Sequence, residues 1–291
     1  MKHAILGTGA IGGLIGTALA SLGEDVIVIV RLQQLPDYPS RLSLERPAGV
    51  ITAPAHAVAA LSEPVDVLWI ATKTFQLESA LKSVEAIPRM IIPLLNGVDH
   101  VATLRAQFGA DHVVPGTIAI EAERAAPGVF IQRAPTVRLN LSSAAEPTLG
   151  PIVKKLADLG FVAQFIANEQ TLLWGKLCFL GPFALATSAS GKTMGEILTD
   201  PTWKQRLFDS VEEACAVGRA LGAEVDAAKI ESMMQNAPPT MRSSMQKDVA
   251  AGRPPELDAI GGAIVRGGEQ QGINVSTTRS LMAEISAKVA A

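Results

Sequence analysis

The first residues of the chain constrain its fold more than any other segment. The mostly apolar run Met1–Leu6 leads directly into Gly7-Thr8-Gly9-Ala10-Ile11-Gly12, and a long apolar stretch follows. This order predicts a strand, a G-x-G-x-x-G turn and a helix. Gly7 permits the tight turn, Gly9 lets a phosphate approach the backbone, and Gly12 lets the helix pack closely on the strand. The N–H groups at the helix start attract an anion, so these six residues predict a dinucleotide pyrophosphate site.

The second predicted strand bears on which dinucleotide binds. Asp25–Val30 is β-branched and apolar after its first residue, as in a buried parallel strand. An NAD site has Asp or Glu at the end of this strand to bind the ribose 2′-hydroxyl, whereas this chain has Arg31. A guanidinium pairs with a 2′-phosphate, so Arg31 favours NADPH/NADP over NADH. The alternative is that Arg31 is simply an exposed residue at a strand end.

Composition sets the size and class of the protein. A chain of 291 residues, 48% hydrophobic and 18% charged, can bury two cores of ordinary domain size. The net charge of −3 without a basic run argues against a nucleic-acid partner. Cys178 and Cys215 lack metal-ligand spacing and predict neither a metal site nor a disulfide framework. No apolar run of membrane-spanning length is free of glycine and charge, so we expect a cytoplasmic protein without a membrane segment.

The first half of the chain alternates predicted strands and helices. Strands are predicted at 65–71, 90–95 and 112–116, and a helix at about 76–85. This alternation predicts an α/β fold with a doubly wound, mostly parallel sheet of the Rossmann type. Thr72-Lys73-Thr74 and Asn96-Gly97 follow predicted strands directly, at the sheet edge where a cofactor binds.

From Gly116 to about Ala145 the pattern changes. Residues 128–131 and 136–140 are predicted as antiparallel strands around Arg133-Ala134-Pro135. Pro151–Gly160 is then predicted as one helix, and Phe161–Phe165 as a last strand.

The second half is predicted to be entirely helical. Asn168 can cap a first helix, which Gly181-Pro182 should kink or interrupt. Further helices are predicted at Trp203–Leu221 and Asp258–Gln271, each followed by glycine, with Ser243-x-x-Gln246 as a capping box between them. We therefore expect an NADP-binding domain over 1–167 and a helical substrate and dimerisation domain over 168–291. The cleft expected between them is the usual position for a substrate beside a cofactor.

Seven separated blocks of the sequence together resemble the ketopantoate reductase (2-dehydropantoate 2-reductase) family, over nearly the whole chain. The blocks are Gly7-x-Gly9-x-x-Gly12, Arg31, Lys73-Thr74-Phe75-Gln76, Asn96-Gly97, Trp174-x-Lys176-Leu177, Ser243-Ser244-Met245-x-x-Asp248 and Arg253-x-x-Glu256-Leu257-Asp258. The resemblance implies NADPH-dependent reduction of a 2-keto acid, in pantothenate biosynthesis. It also implies a Rossmann domain followed by an all-helical domain, and a catalytic lysine.

The resemblance assigns catalytic roles to Lys176 and Glu256. Reduction of a ketone needs a proton donor at the carbonyl oxygen, which a lysine ammonium can supply. The alternative for Lys176 is a lysine that snorkels from an apolar helix. Glu256 corresponds to the family's acidic residue that binds the substrate hydroxyl. The alternative for Glu256 is a carboxylate that stabilises a helix start.

The resemblance also assigns binding roles. Ser244 corresponds to a residue that contacts the substrate carboxylate, and its alternative role is helix capping together with Ser243. Asn96 corresponds to a residue beside nicotinamide and substrate, although Asn-Gly is also an ordinary turn pair. Lys73 corresponds to a residue on the cofactor and substrate side, and alone it would be a surface lysine. Asn96, Lys73 and Glu256 are therefore also expected to contact the cofactor.

The chain departs from the family at the substrate side. Four residues after the lysine the family usually carries an Asn that hydrogen-bonds the substrate, whereas this chain has Leu180. Loss of that hydrogen bond would cost roughly 1–3 kcal/mol. Gly261-Gly262 also stands where the family tends to have Asn-Gly.

Three functions therefore stay open. The first is reduction of ketopantoate with NADPH. The second is reduction of a more apolar keto acid or ketone, which Leu180 motivates. The third is an NADP(H)-binding regulatory protein without turnover, for which Leu180 and Gly181-Pro182 are the only support. The apolar helices of the second half are compatible with a homodimer.

Overall fold

The computed structural model describes residues 1–290, which fold into two compact units. The sheet unit comprises Met1–Leu95 and His100–Ala167. The helical unit comprises Asn96–Asp99 and the chain from Asn168 onward. The short segment 96–99 thus belongs to the helical unit, although it lies in the first half of the sequence.

The sheet unit contains twelve strands and four α-helices. The strands are β1 Lys2–Leu6, β2 Asp25–Ile29, β3 Arg41–Arg46, β4 Gly49–Pro54, β5 His56–Val58, β6 Val67–Ile70, β7 Met90–Pro93, β8 Gly116–Ala119, β9 Ala122–Ala126, β10 Val129–Gln132, β11 Val137–Ser142 and β12 Phe161–Ile166. The helices are α1 Ala10–Ser21, α2 Leu77–Leu81, α3 His100–Phe108 and α4 Glu146–Leu156.

The main sheet has five parallel strands in the order β5-β2-β1-β6-β7. Strand β1 therefore lies in the centre, and the chain winds outward from it in both directions. This topology confirms the predicted Rossmann-type fold class, in which ligands bind beyond the carboxyl ends of the central strands. Strands β1, β2, β6 and β7 are mostly buried on both faces, as the apolar runs predicted, whereas the edge strand β5 is not. Ile5, Leu14 and Trp69 are almost wholly buried in the core.

Two smaller sheets complete this unit, and they correct the prediction for residues 128–140. Strands β10 and β11 do not form a hairpin. Strand β10 lies in a sheet of order β4-β3-β10-β9, and β11 lies in a sheet of order β12-β11-β8. The ring of Phe130 on β10 packs against Gly13 of α1, where a Cβ would lie 2.0 Å from the ring. This contact fixes β10 beside α1, while the Ala134-Pro135 linker takes the chain to the other sheet.

Other boundaries in the sheet unit also differ from the predictions. The predicted strand at 112–116 is reduced to one bridge between Val113 and Ile91, and the strand proper begins at Gly116. Helix α2 spans only Leu77–Leu81, after a 3₁₀ turn at Thr74–Gln76. Helix α4 begins five residues before Pro151, with Pro147 in its first turn, where a missing N–H costs nothing.

Up to residue 290, the helical unit contains seven α-helices. They are α5 Glu169–Ser190, α6 Met194–Thr199, α7 Pro201–Ala220, α8 Ala227–Gln235, α9 Ser244–Ala250, α10 Ala263–Gln271 and α11 Ser276–Ala290. Two of the predicted caps are found in this unit. Asn168 accepts a hydrogen bond from the Thr171 N–H, and the left-handed Gly272 ends α10.

Helix α5 forms the centre of the helical unit. It runs unbroken through Gly181-Pro182, so the predicted interruption is wrong. Among residues 1–290, α5 alone is long and apolar enough to cross a membrane, and 78% of its most apolar window is buried inside the fold. Such burial is typical of a core helix, and Trp174, Leu177 and Phe183 on α5 belong to the core of this unit.

The helix predicted from Asp258 is irregular at its start. Residues Asp258–Gly262 form a π turn, and the regular helix α10 begins at Ala263. The predicted capping box is half formed. The Ser243 hydroxyl accepts from the Gln246 N–H, but the Gln246 side chain donates to the Lys192 carbonyl instead.

Candidate active site

The glycine turn of the sheet unit has the form that a pyrophosphate needs. Gly7 has φ of 96°, and a Cβ on Gly12 would lie 2.0 Å from the Gly7 carbonyl oxygen. Only glycine therefore lets α1 begin against this turn. A Cβ on Gly9 would meet no atom of residues 1–290 within 4 Å, which leaves space for a phosphate. Among the same residues, no side chain caps α1, so its first N–H groups remain available to an anion.

Arg31 and Lys73 also lie in the sheet unit. Arg31 is exposed and precedes a 3₁₀ turn two residues after β2. Lys73 is half-buried and precedes the 3₁₀ turn that follows β6. Because β2 and β6 both flank β1, both residues follow strands next to the strand that carries the glycine turn. This placement agrees with a cofactor role for both residues, and an exposed Arg31 also agrees with the alternative interpretation.

Three of the predicted site residues meet in the helical unit. The Lys176 Nζ on α5 donates to Asn96 Oδ1 at 2.9 Å, and Asn96 Nδ2 donates to Glu256 Oε2 at 3.1 Å. The Asn96 amide thus presents its acceptor to the cation and its donor to the carboxylate. Both hydrogen bonds have one charged partner, which makes them stronger than neutral ones. We call Lys176, Asn96 and Glu256 the polar chain.

Burial changes the acidity of Lys176. Lys176 is half-buried, and desolvation of its ammonium group lowers the Lys176 pKa to about 8, although the Glu256 carboxylate opposes this change. Glu256 itself is only 5% exposed. A lysine with this pKa is mostly protonated near neutral pH and can still release its proton, as a general acid must. The hydrogen bond from the Lys176 ammonium to Asn96 is not expected of a snorkelling lysine, whose ammonium extends into solvent.

The position of Asn96 depends on the residues that follow it. Gly97 has φ of 82°, and a Cβ there would lie 2.2 Å from the Ala259 carbonyl oxygen. The backbone of segment 96–99 therefore packs directly on the π turn that follows Glu256 in the sequence. Two residues on, the Asp99 carboxylate accepts from Arg266 Nη2 at 2.6 Å. Asp99 and Arg266 were not predicted from the sequence, because no local pattern links residues so far apart.

Ser244 lies exposed as the first residue of α9. The capping residue is its buried neighbour Ser243, whose hydroxyl also contacts Thr187 Oγ1 at 2.8 Å. Thr187 lies on α5 about three helical turns beyond Lys176 and on the same face. Ser244 is therefore not itself the cap, which removes the alternative role considered for it.

Leu180 stands one turn beyond Lys176 on α5. Residues four apart share a helix face, so Leu180 and Lys176 are neighbours. Leu180 is half-buried and packs against the apolar core of the helical unit, together with Val98 of segment 96–99. The surface next to Lys176 is therefore apolar on this side.

Among residues 1–290, no group of three or more His, Cys, Asp or Glu side chains is placed to hold a metal ion. Cys178 and Cys215 are both buried and not linked by a disulfide. The polar chain brings an ammonium, an amide and a carboxylate together in a partly dry setting. Such a set can hold and donate a proton and can bind a polar oxygen.

Two family models match the chain. "Ketopantoate reductase PanE/ApbA" matches residues 3–146, and "Ketopantoate reductase PanE/ApbA C terminal" matches residues 168–289. The chain belongs to the ketopantoate reductase family. It is an oxidoreductase family, and the predicted resemblance is confirmed.

Individual proteins are similar to this chain in sequence or in fold. A 2-dehydropantoate 2-reductase of Caulobacter vibrioides is 30% identical over 98% of both chains. The crystal structure of a PanE/ApbA family ketopantoate reductase from Ralstonia eutropha is 26% identical, with a TM-score of 0.87 over 100% of this chain and 99% of that one. A D-mandelate dehydrogenase solved with NADH and anilino(oxo)acetate has the same fold, with a TM-score of 0.85 at 23% identity over 100% and 99% of the two chains.

Proposed function

We propose that this member of the family reduces a 2-keto acid to a 2-hydroxy acid with NADPH, and that 2-dehydropantoate is its substrate. The polar chain is the observation that carries the proposal. It joins a lysine of pKa about 8 to a buried carboxylate through one amide. Such a lysine is suited to protonate a carbonyl oxygen during reduction.

The proposed roles follow from the chemistry of each side chain. Lys176 holds a proton at Nζ for the keto oxygen, and Asn96 orients that amine through its Oδ1. Glu256 binds the distal hydroxyl of the substrate and keeps Lys176 protonated through its charge. Ser244 is proposed to contact the substrate carboxylate.

The glycine turn is proposed to hold the cofactor, which supplies the hydride when bound. The open space at Gly9 and the available N–H groups of α1 support this assignment. Arg31 is proposed to contact the 2′-phosphate, so the cofactor is NADPH rather than NADH. Lys73 is proposed to contact both the cofactor and the substrate. Asn96 and Glu256 are proposed to contact the nicotinamide end.

A direct assay tests the proposed reaction. The purified protein is mixed with NADPH and 2-dehydropantoate, and the loss of NADPH absorbance is recorded, with NADPH binding measured separately by fluorescence. The proposal expects steady turnover and a preference for NADPH over NADH. Normal NADPH binding without turnover of 2-dehydropantoate would overturn the substrate assignment.

Leu180 favours a second candidate, a 2-keto acid with a more apolar side chain. A substrate hydroxyl beside Leu180 would lack a hydrogen-bond partner there, at a cost of roughly 10–100-fold in discrimination. The test is a panel of 2-keto acids with and without a distal hydroxyl, including phenylglyoxylate. A strong preference for the hydroxylated substrate would exclude this candidate.

A variant separates the two candidates further. Leu180→Asn adds a hydrogen-bonding side chain next to Lys176, and Leu180→Met serves as the apolar control. If the apolar candidate is right, Leu180→Asn lowers kcat/KM for the apolar acids, while Leu180→Met changes it little. If Leu180→Asn leaves the ranking of substrates unchanged, Leu180 does not contact the substrate side chain.

The proposed function also includes a role for each domain, an oligomeric state and a location in the cell. Residues 1–167 are proposed to bind NADP, and residues 168–291 to bind substrate and to form a homodimer in the cytoplasm. A ketopantoate reductase of Staphylococcus aureus with the same fold is described as dimeric. Light scattering of the purified protein measures the oligomeric state, and a monomer at assay concentrations would overturn that part.

A further inference from the structure

Asn96 and Glu256 stand on two segments that are far apart in the sequence. Their hydrogen bond of 3.1 Å joins segment 96–99 to the residues just before the π turn at Asp258–Gly262. Neither segment is part of a regular helix at this point. The position of one segment relative to the other therefore depends on side-chain and packing contacts, not on the hydrogen bonds of a helix or sheet.

Arg266 on α10 joins these two segments. Its Nε and Nη2 both donate to Asp99 Oδ2, at 3.1 and 2.6 Å. Its Nη1 donates to Asp258 Oδ1 at 2.7 Å, and Nη2 also donates to the Asp258 carbonyl oxygen at 3.1 Å. Asp99 is three residues after Asn96, and Asp258 is two residues after Glu256. One guanidinium thus binds a residue that lies close after Asn96 and another that lies close after Glu256.

The backbone around Arg266 is shaped for this arrangement. A Cβ on Gly262 would lie 2.6 Å from Asp258 Oδ1 and 2.9 Å from Arg266 Nη1, so a side chain there would displace the ion pair. Gly97 packs against Ala259, which lies in the π turn between Asp258 and Gly262. A planar guanidinium with several fixed donors suits such a junction better than an ammonium does.

We propose that Arg266 is a positioning residue, which acts through Asp99 and Asp258 to hold Asn96 against Glu256. It thereby fixes the position of Asn96 Oδ1, the oxygen that accepts the hydrogen bond from the Lys176 ammonium. The inference rests on the proposed function for its kinetic consequences. Arg266, Asp99 and Asp258 are largely exposed, and ion pairs of that kind add little to global stability. A small misplacement of a catalytic group, in contrast, can lower a rate by about 100-fold.

The test compares Arg266→Gln and Asp99→Asn with a matched control. Arg279 also lies in the helical unit, pairs with Glu269 at 2.6 Å and is about half exposed like Arg266, but touches neither segment. For each protein, kcat, KM for keto acid and NADPH, and the pH dependence of kcat are measured. Amide hydrogen exchange of the peptides containing 96–99 and 256–262 is followed without substrate.

The proposal expects kcat to fall about 10- to 100-fold in Arg266→Gln and Asp99→Asn, with KM for NADPH within about twofold of wild type. The inflection of the pH profile shifts, and exchange accelerates in both peptides. Arg266→Lys is expected to have a higher kcat than Arg266→Gln but a lower one than wild type. Lysine keeps the positive charge but lacks the planar set of donors that binds both aspartates. Arg279→Gln behaves as wild type in every measurement.

Two results would overturn the inference. One is wild-type kcat, pH profile and exchange in Arg266→Gln, and the other is an equal loss of kcat in Arg279→Gln. Failure of the proposed function is seen separately, as absence of turnover by the wild-type protein with every keto acid. In that case the exchange measurement alone decides, and unchanged exchange in both peptides refutes the positioning role.

Discussion

The pKa of Lys176 leads to a specific pH dependence. In the reduction direction the protonated amine is the active form, because it must donate a proton. With a pKa of about 8, kcat should be constant below that pH and fall above it. In the oxidation direction the neutral amine acts as the base, so the rate should rise through the same pH range.

The size of the effect follows from the fraction of protonated amine. One pH unit above the pKa, roughly one-tenth of the Lys176 amines keep their proton, so the reduction rate falls about tenfold per unit. An unperturbed lysine, with a pKa of about 10.4, would show almost no fall in this range. The Glu256 carboxylate raises the Lys176 pKa, so Glu256→Gln should move the inflection to lower pH.

Steady-state NADPH oxidation at saturating substrate, recorded from roughly pH 6 to 10, measures this profile. Lys176→Arg provides the control, because its guanidinium stays protonated over the whole range. Its residual rate should show no fall near pH 8. An inflection near the ordinary lysine value, or one that does not move in Glu256→Gln, would refute the reasoning about burial and charge.

Three further substitutions test separate parts of the site. Asn96→Ala removes both hydrogen bonds of the polar chain and should lower kcat about 10- to 100-fold in steady-state kinetics, and wild-type kcat would argue against its role. Gly12→Ala places a methyl group 2.0 Å from the Gly7 carbonyl oxygen and should weaken NADPH binding at least about tenfold in a fluorescence titration; near-normal affinity would argue against the turn as the pyrophosphate site. Arg31→Ser should lower the ratio of kcat/KM for NADPH to that for NADH by about tenfold or more, and an unchanged ratio would favour the simple exposed residue.

Features that depend on neighbouring residues were predictable from the sequence. Strand β1, the glycine turn and helix α1 follow from the order of Ile5, Gly7 and Gly12 alone, and the cap at Asn168 follows from side-chain chemistry. The meeting of Lys176, Asn96 and Glu256 was expected only through the resemblance. These residues are too far apart for any pattern of spacing to bring them together.

Features that depend on distant partners were not predictable. Nothing in 128–140 shows that β10 pairs with β3 rather than β11, because the pairing is fixed by contacts such as Phe130 on Gly13. The π turn at Asp258 and the contacts of Arg266 with Asp99 likewise arise from packing across the helical unit. Pro151 was expected to begin a helix and Pro182 to kink or interrupt one, but both lie inside continuous helices, and Pro182 is buried there.

The most direct test of the central claim compares wild type with Lys176→Met in the reduction of a 2-keto acid by NADPH. The variant retains a similar side-chain volume but cannot donate a proton. We predict that kcat falls by about 100- to 10,000-fold, while the Kd for NADPH stays within about twofold of wild type. Turnover by Lys176→Met at the wild-type rate would contradict the assignment of Lys176 as the proton donor.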